Sequence, residues 1–303
     1  EMAAADTSTD RSLRQGKKVP YVLVVPAMAF LFVFFIVPLI SLFKISLSTK
    51  PNRLLPEYDF SWEWSNFSDA FSRFGSHLVR SFSYAAVATV LCALIAYPVA
   101  YFIAFKTERM RNILLGLVMV PFFTSFLLRT IAWKSLLADA GPVMSALKAV
   151  SLDGVLESLG IVQNGAILNT QAAVIGGLTY NFLPFMLLPI YVSLEKIDRR
   201  LVDAAADLYS PFGATFRRVI LPLSLPGVFA GTLLTFIPAT GDFINAQFLG
   251  SVDSRRVVGT AVQFEFLAKN NYPSAAAISF VLMAIITTLV LIYTKFMGTE
   301  DLA

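Results

Sequence analysis

Long runs of apolar residues constrain the fold of this chain more than any other feature of its sequence. Apolar residues make up 56% of the 303 positions and charged residues only 15%, which lies outside the usual range for soluble domains. A helix needs about 20 apolar residues to cross roughly 30 Å of hydrocarbon. Runs of that length occupy 21–46, 78–105, 112–137, 171–194, 220–249 and 274–296. The sequence therefore predicts an all-α, polytopic membrane protein with six transmembrane helices.

The character of these runs favours helices over membrane strands. Residues 30–37 read Phe-Leu-Phe-Val-Phe-Phe-Ile-Val without the alternation that a barrel strand shows. The first run follows a basic tail over residues 1–20, as a signal peptide would, but it is longer than a signal core and no small-residue cleavage site follows it. We therefore expect an uncleaved first helix and a transmembrane domain over 21–303.

Basic residues indicate which side of the membrane each loop occupies. With six spans both termini share one side, together with the segments 106–111 and 195–219. These two segments hold three and five basic residues, whereas the opposite loops are longer and carry their basic residues at lower density. Because cytoplasmic loops are enriched in Lys and Arg, we expect the termini and the 195–219 loop to be cytoplasmic.

Several chemical functions are not supported by the residues present. There is no Gly-x-x-x-x-Gly-Lys-Ser/Thr phosphate-binding loop, one histidine (His77) and one cysteine (Cys92). The net charge of +4 is spread over the loops without a polybasic block, which favours contact with membrane lipid over nucleic acid. We expect no catalytic residues, no metal site and no cofactor in this chain.

The 195–219 segment is a polar loop with helical character. Asp198 can cap a helix that runs to about Leu208, since its carboxylate can accept free amide protons of the first turn. Pro211 cannot continue that helix, and the sequence Ser210-Pro211 predicts a new start with the serine as cap and proline as the first helical residue. The loop is thus predicted to be two short helices that meet near Tyr209.

The same loop resembles the coupling loop of bacterial ABC-importer permeases, on which a separate ATPase acts. That pattern has an acid, two alanines, a glycine four residues later, and a hydrophobic residue with Leu-Pro at its end. The matching positions here are Asp203, Ala204, Ala205, Val219, Leu221 and Pro222. The glycine position holds Tyr209, a departure from the pattern. Glycine would supply a positive φ at low cost, so we expect either a differently shaped elbow or a strained Tyr209, with Gly213 supplying some of the flexibility.

A wider likeness points to the spermidine/putrescine importer permeases. It is carried by the segments 121–130, 183–198 and 221–231, with sequences PFFTSFLLRT, LPFMLLPIYVSLEKID and LPLSLPGVFAG. The resemblance implies a type I ABC-importer permease fold in the inner membrane of a bacterial cell, which moves polyamines by alternating access. It also implies four partner chains: a second homologous permease, two cytoplasmic ATPase subunits that bind ATP and Mg, and an extracytoplasmic substrate-binding protein.

Candidate residues for the substrate pathway lie in the fourth and fifth runs. Asp242 follows Pro238 and Gly241, and an ionisable group at membrane depth indicates function, unless the helix ends near Gly241 and leaves the acid at a wet surface. Aromatic faces attract ammonium groups. The further candidates are Tyr180, Asn181, Phe185 and Phe236.

Three residues of the third run are expected to contact lipid headgroups, acidic side chains or the extracytoplasmic substrate-binding protein, which delivers the substrate. They are Arg129, Trp133 and Lys134. The two cations would repel a polyamine. Two alternatives to a polyamine importer stay open: an ABC-importer permease for another small solute, and an ion-coupled secondary transporter, which would need more intramembrane acids than Asp242 alone.

Overall fold

The computed structural model of the chain describes residues 19–50, 58–107, 109–251 and 256–297. Within these ranges, five helices are long and apolar enough to cross a membrane, and the count rises to six if a pair of helices joined at a sharp bend is taken as one span. Apart from a two-residue strand pair, the regular structure described is helical. The predicted all-α membrane architecture is confirmed, and the bent pair stands where the sequence predicts the third span.

The first half of the chain contains the following elements. Helix α1 comprises Val19–Leu31, the π-helical turn Phe32–Ile36 and Val37–Ser46; β1 is Ser48–Thr49 and β2 is Asp59–Phe60; α2 is Ser65–Lys106; α3 is Arg111–Met119, extended by the 3-10 turn Val120–Phe123; α4 is Phe126–Leu136; α5 is Pro142–Ala149; and α6 is Asp153–Ser158. The two strands pair antiparallel.

The second half begins with the long helix α7, Gln171–Glu195. It continues with α8, Arg199–Asp207; α9, Phe212–Thr215, with the π-helical turn Phe216–Ile220; α10, Leu221–Gly241; α11, Ile244–Leu249; α12, Val258–Gln263, with the π-helical turn Phe264–Ala268; and α13, Tyr272–Met297. The stretch from Phe212 to Gly241 forms one continuous helical rod.

The centre of the fold is the packing of α2 and α10 against α7. A stripe of small residues runs along α2 at helical spacing and is fully buried: Ala85, Ala88, Cys92, Ala96 and Ala100. Small side chains let membrane helices approach closely, which gains van der Waals contact where no hydrophobic effect operates between apolar helices. On α10, a Cβ added at Gly227 would lie 2.5 Å from the carbonyl oxygen of Pro189. Only glycine fits this crossing of α7 and α10.

The terminal helices are attached at the side of this centre. Helix α13 packs on α2 through buried residues that include Leu78 and Ile278, and its Phe280 ring lies 5.4 Å from the ring of Phe43 on α1. The α1 window near the N-terminus buries none of its residues inside this chain. Helix α1 is therefore covered by something other than the described part of the chain.

The third apolar run, predicted over 112–137 as one helix, is broken in the structure. The axes of Arg111–Phe123 and Phe126–Leu136 differ by 92°. Pro121 lies in the 3-10 turn, the Thr124 hydroxyl donates to its carbonyl at 2.6 Å, and Ser125 is extended with ψ 134°. Proline supplies no amide proton to an α-helix, and the threonine hydroxyl competes for a carbonyl that the helix would otherwise use. The helix therefore breaks between Phe123 and Phe126, and the chain changes direction there.

The fifth apolar run, predicted over 220–249, also differs from a single span. Helix α10 ends at Gly241, Asp242 adopts an extended conformation (φ −67°, ψ 125°), and α11 begins at Ile244. Asp242 thus lies at a helix break rather than inside a helix. Its carboxylate accepts the backbone N–H of Asn245 at 2.8 Å, which satisfies a donor that the new helix leaves free.

Candidate functional site

The loop between α7 and α10 begins with the helix cap that the sequence predicts. The Asp198 carboxylate accepts the backbone N–H of Arg200 at 3.0 Å. The adjoining chain is tied to its neighbours at two points: Arg111 forms a 2.7 Å ion pair with Glu195, and Arg199 donates to the carbonyl oxygen of Ala104 at the end of α2. A cation at the C-terminal end of a helix is favourable. The base of the loop is therefore held against α2 and α3.

Tyr209 forms a left-handed elbow at the end of α8. Its φ is +55°, and the backbone N–H of Ser210 donates back to the carbonyl of Ala205 at 3.0 Å. This six-to-one bond with a left-handed residue before it is the Schellman helix end, where glycine is usual. The departure from the glycine pattern is thus a tyrosine that adopts the backbone conformation of glycine. The position keeps its shape although the residue type has changed.

The elbow presents exposed apolar side chains at its tip. Tyr209 is 96% exposed, Leu208 81% and Phe212 66%, while Asp203 and Ala204 on α8 are exposed and Ala205 is half-buried. An exposed apolar group with a polar margin is typical of a surface that another protein covers. The small alanine side chains let such a partner approach the backbone of α8.

The start of the second short helix differs from the prediction. Pro211 is the N-cap of α9 rather than its first residue, with extended ψ 151° and no side-chain cap bond from a serine. Its carbonyl accepts the N–H groups of Ala214 and Thr215 at 2.9 and 3.1 Å. Because Pro211 occupies the N-cap position, Ser210 lies one residue before the cap. Gly213 lies within α9, where a Cβ would meet open space, and its backbone needs no glycine.

Four aromatic residues, which the sequence pattern did not single out, attach α9 to α2. Ring centroids of Tyr101 and Phe212 lie 6.1 Å apart, those of Tyr97 and Phe216 5.6 Å apart, and those of Phe212 and Phe216 6.2 Å apart. Edge-on and tilted ring pairs at such separations are favourable. Tyr97 and Tyr101 are four residues apart on α2, and Phe212 and Phe216 are four residues apart on α9 and its π-helical turn. This i, i+4 spacing of aromatic residues in both segments is the sequence pattern from which the contact could have been predicted.

The Leu-Pro pair at the end of the loop explains the π-helical turn before it. The N–H of Leu221 donates to Phe216, five residues back instead of four. Pro222 has no N–H, and in a regular helix its ring would clash with the carbonyl of Arg218. Widening the turn relieves that clash and keeps the rod continuous. The Tyr97 hydroxyl then bonds Ser224 at 2.6 Å, so α2 and α10 are joined by a polar contact just beyond the proline.

A second candidate region is a buried polar group formed by Thr130, Asn181, Asp242 and Asn245. Asn181 donates from Nδ2 to Asn245 Oδ1 at 3.1 Å and to Thr130 Oγ1 at 3.4 Å. Asn245 in turn donates from its backbone N–H and its Nδ2 to Asp242 Oδ1. The Oδ1 atom of Asn181 is buried without a hydrogen-bond partner in the described residues. The group is rich in acceptors.

The structure brings only two of the predicted pathway residues together. Asp242 and Asn181 share the polar group through Asn245, which sequence reasoning missed although it follows Asp242 at capping distance. The other three make their ring contacts elsewhere. Tyr180 lies 5.2 Å from the ring of Trp133, Phe185 is exposed and contacts Phe182, and Phe236 contacts Phe82.

Solved structures of ABC importers share this fold. A bacterial ABC transporter involved in the import of the acidic polysaccharide alginate superposes with a TM-score of 0.65 at 14% identity, over 94% of this chain and 98% of that one. The MetNI methionine ABC transporter in an inward-facing conformation gives a TM-score of 0.55 at 14% identity, over 74% and 94% of the two chains. At these identities the likeness establishes the fold alone.

Sequence comparison with curated proteins identifies the family. No protein-family model matches the chain. The spermidine/putrescine transport system permease protein PotB of Haemophilus influenzae is 35% identical over 269 residues, which cover 88% of this chain and 90% of that protein. PotB of Escherichia coli K12 is 36% identical over 219 residues, 72% and 76% of the two chains. An inner membrane ABC transporter permease protein of the same organism, YdcU, is 32% identical over 228 residues, 74% and 72% of the two chains. Similarity of this extent over most of both chains means that the protein belongs to the family of the spermidine/putrescine transport system permease proteins.

Proposed function

We propose that this chain is the translocating permease subunit of an ATP-driven importer whose cargo is a polyamine. The observation that carries the proposal is the 35% identity, over 88% of its length, to a permease named for spermidine and putrescine transport. In this proposal the chain performs no covalent chemistry, and ATP and Mg are bound by a separate ATPase. The chain belongs in the bacterial inner membrane with both termini in the cytoplasm.

The proposed assembly contains this chain, a second homologous permease, two ATPase subunits and an extracytoplasmic binding protein. A solved bacterial alginate ABC transporter in complex with an alginate-bound periplasmic protein has the same fold, with a TM-score of 0.61 at 15% identity. That complex supports a delivery protein as one of the partners. The unburied window of α1 supports further membrane-embedded partners or lipid.

The ATPase-coupling site in this proposal is the elbow between α8 and α9. Asp203 and Ala204, which are exposed, and the half-buried Ala205 form the face that an ATPase meets, and Tyr209 forms the tip. The site also includes Gly213 on α9 and the Leu221-Pro222 pair at the start of α10. Two physical links favour transmission of a push: the aromatic contacts join α9 to α2, and the π-helical turn keeps α9 continuous with α10. A force on the elbow therefore acts on two membrane helices at once.

For the substrate pathway we propose the polar group around Asp242. A polyamine presents several ammonium groups, which only donate hydrogen bonds, and the group offers a carboxylate and the unpartnered Oδ1 of Asn181. Tyr180, Phe185 and Phe236 are proposed as faces that attract the passing cation. Helix breaks beside such groups are a feature of transport sites, and α10 ends directly before Asp242.

The proposal is tested by reconstitution of the chain with its second permease, its ATPase and its delivery protein in lipid vesicles. ATP hydrolysis is measured with spermidine, with putrescine and with unrelated solutes, and vesicles that lack the delivery protein are the control. Stimulation by polyamines alone is the expected result. Stimulation by another solute would make the chain an importer permease for that cargo. Uptake by the lone chain, driven by an ion gradient, would make it a secondary transporter.

A further inference from the structure

Asn245 is fully buried and joins two of the proposed pathway residues. Its backbone N–H donates to Asp242 Oδ1 at 2.8 Å, and its side-chain Nδ2 donates to the same oxygen at 3.1 Å. Its side-chain oxygen accepts from Asn181 Nδ2 at 3.1 Å. Within the described chain, the Asn245 amide is therefore used at one end by Asp242 and at the other by Asn181.

The chemistry of the neighbours fixes the direction in which each amide points. An ionised carboxylate accepts hydrogen bonds and donates none, so the Asn245 atom beside Asp242 is its nitrogen, and its oxygen faces Asn181. The Thr130 hydroxyl donates its proton to the carbonyl of Phe126 at 3.1 Å and can only accept from Asn181, at 3.4 Å. The hydrogen bonds thus run in one direction, from Asn181 through Asn245 to Asp242.

Only one oxygen of the Asp242 carboxylate is used by this arrangement. Both donors of Asn245 meet Oδ1, and the described residues donate no hydrogen bond to the other oxygen, Oδ2. The ion pairs found in the described chain do not include Asp242, which is half-buried where α10 ends. A carboxylate held through one oxygen keeps the lone pairs of the other. Asp242 Oδ2 can therefore accept from an ammonium group.

Close packing holds the turn from Asp242 to Asn245 in place. On α7, a Cβ added at Gly177 would lie 2.6 Å from Asn245 Oδ1, so the α7 backbone lies directly against this amide. On α12, a Cβ added at Gly259 would lie 2.5 Å from the carbonyl oxygen of Gly241 and 3.2 Å from the carbonyl carbon of Asp242. Groups that are fixed by packing and by hydrogen bonds from behind are oriented before a ligand arrives.

We propose that Asn245 is a positioning residue of the substrate pathway, which holds the Asp242 carboxylate so that Oδ2 meets an ammonium group of the passing polyamine. The proposal rests on the proposed function, in which Asp242 lies on that pathway. Asn245 does not touch the substrate, because it is fully buried and its amide is engaged by Asn181 and Asp242. A carboxylate that is already oriented loses less side-chain entropy when the ammonium group binds.

The first test uses the whole complex in vesicles with polyamine-loaded delivery protein. Asn245→Leu keeps the side-chain volume and removes the amide, and Gln247→Leu is the matched control at an exposed position of the same helix. Uptake per folded complex, measured over a range of loaded delivery protein, separates kcat from the KM of docking. We expect Asn245→Leu to lower kcat about tenfold, as for one hydrogen bond to a charged group, with unchanged KM. Gln247→Leu should match the wild type, and a wild-type kcat of Asn245→Leu would overturn the proposal.

A double-mutant cycle separates positioning from a merely structural role. If Asn245 acts through the Asp242 charge, Asn245→Leu has no charge to misplace in the Asp242→Asn background. The double variant should then have the kcat of Asp242→Asn alone, because effects that share one partner do not add. Thermal denaturation in detergent reports the structural cost of Asn245→Leu separately. Additive losses of kcat in the double variant would refute the positioning role.

A further pair of variants leaves every polar group of the site in place. Gly177→Ala places a methyl group against Asn245 Oδ1 and the Leu249 side chain, whereas Gly176→Ala adds the same group in open space on the same helix. We expect Gly177→Ala to lower kcat about as much as Asn245→Leu, and only while Asp242 is present. Equal kcat of the two alanine variants would contradict the proposal.

The two proposals fail in different ways. Wild-type uptake by Asp242→Asn removes Asp242 from the pathway and contradicts the site in the proposed function. Slow uptake by Asp242→Asn together with wild-type uptake by Asn245→Leu contradicts only the positioning role of Asn245.

Discussion

Replacement of Tyr209 by glycine should stabilise the loop and weaken its interaction with the ATPase. A left-handed residue with a Cβ costs about 1–2 kcal/mol relative to a right-handed one, and Tyr209 has φ +55°. Because its side chain is 96% exposed, the isolated chain loses no packing when the ring is removed. Tyr209→Gly should therefore stabilise the end of α8 by about 1 kcal/mol.

The expected loss on the partner side is larger. A tyrosine buries about 150–250 Å² when it docks, and at about 25 cal/mol per Å² this corresponds to an upper limit of about 4–6 kcal/mol. Interface tyrosines that matter cost at least about 2 kcal/mol on truncation, which is about a 30-fold loss of affinity. Tyr209→Gly should thus weaken ATPase binding about 30-fold while the loop itself is more stable.

Two measurements on the same variants check this prediction. Affinity of the purified ATPase for the permease in lipid discs reports the contact, and hydrogen exchange at the amide of Ser210, which donates to the Ala205 carbonyl, reports the elbow. Tyr209→Asn, which tolerates the left-handed conformation, should lose affinity like glycine, and Tyr209→Phe should retain it. If Tyr209→Gly binds the ATPase with unchanged affinity, the Tyr209 ring is not part of the contact. Faster hydrogen exchange in that variant would contradict the expectation that glycine stabilises the left-handed position.

Three further changes have expected outcomes. Asp203→Lys should insert and assemble normally but reduce polyamine uptake per ATP hydrolysed at least tenfold, because it reverses a charge on the exposed face of α8; uptake assays in vesicles measure this. Gly227→Val should destabilise the chain by about 1–3 kcal/mol or more, since even a Cβ lies 2.5 Å from the Pro189 carbonyl oxygen; thermal denaturation in detergent measures this. Asp242→Asn keeps an acceptor for Asn245 but loses the charge, so uptake should fall about tenfold or more, as expected for one charged hydrogen bond, with unchanged thermal stability.

Each of these predictions has a matched control. Asp207→Lys makes the same charge reversal at another exposed position of α8 and should couple better than Asp203→Lys; equal uptake by both would count against a specific role of Asp203. Gly176→Val, at a site with open space around a Cβ, should be tolerated where Gly227→Val is not. Wild-type uptake by Asp242→Asn would leave Asp242 a purely capping role.

Apolar content predicted where the chain enters the membrane but could not predict whether each helix is continuous. Pro184 and Pro189 lie inside the unbroken helix α7, whereas Pro121 lies beside a 92° break. The residue type is the same in each case. Neighbouring helices decide whether the freed backbone groups find other partners, and these neighbours are set by tertiary packing that a single apolar run does not encode.

The loop was predictable to the extent that its structure is local. The helix cap at Asp198 and the positive φ at Tyr209 each depend on residues within about one helical turn, and both are present in the structure. The cap expected at Ser210 was wrong because the helix begins one residue later than predicted, with Pro211 at the N-cap position. The partner of Asn181 lies 64 residues further along the chain, a separation at which sequence spacing carries no information.

The uninterrupted rod from Phe212 to Gly241 has a mechanical consequence. Thirty residues at 1.5 Å each make a lever about 45 Å long, which starts beside the elbow and whose far tip is directly followed by Asp242. A tilt of about 5° about one end would sweep the other through about 4 Å, comparable to the width of an ammonium group with its hydrogen-bond partner. A stroke too small to reorganise the fold is thus sufficient to open or close a passage beside Asp242.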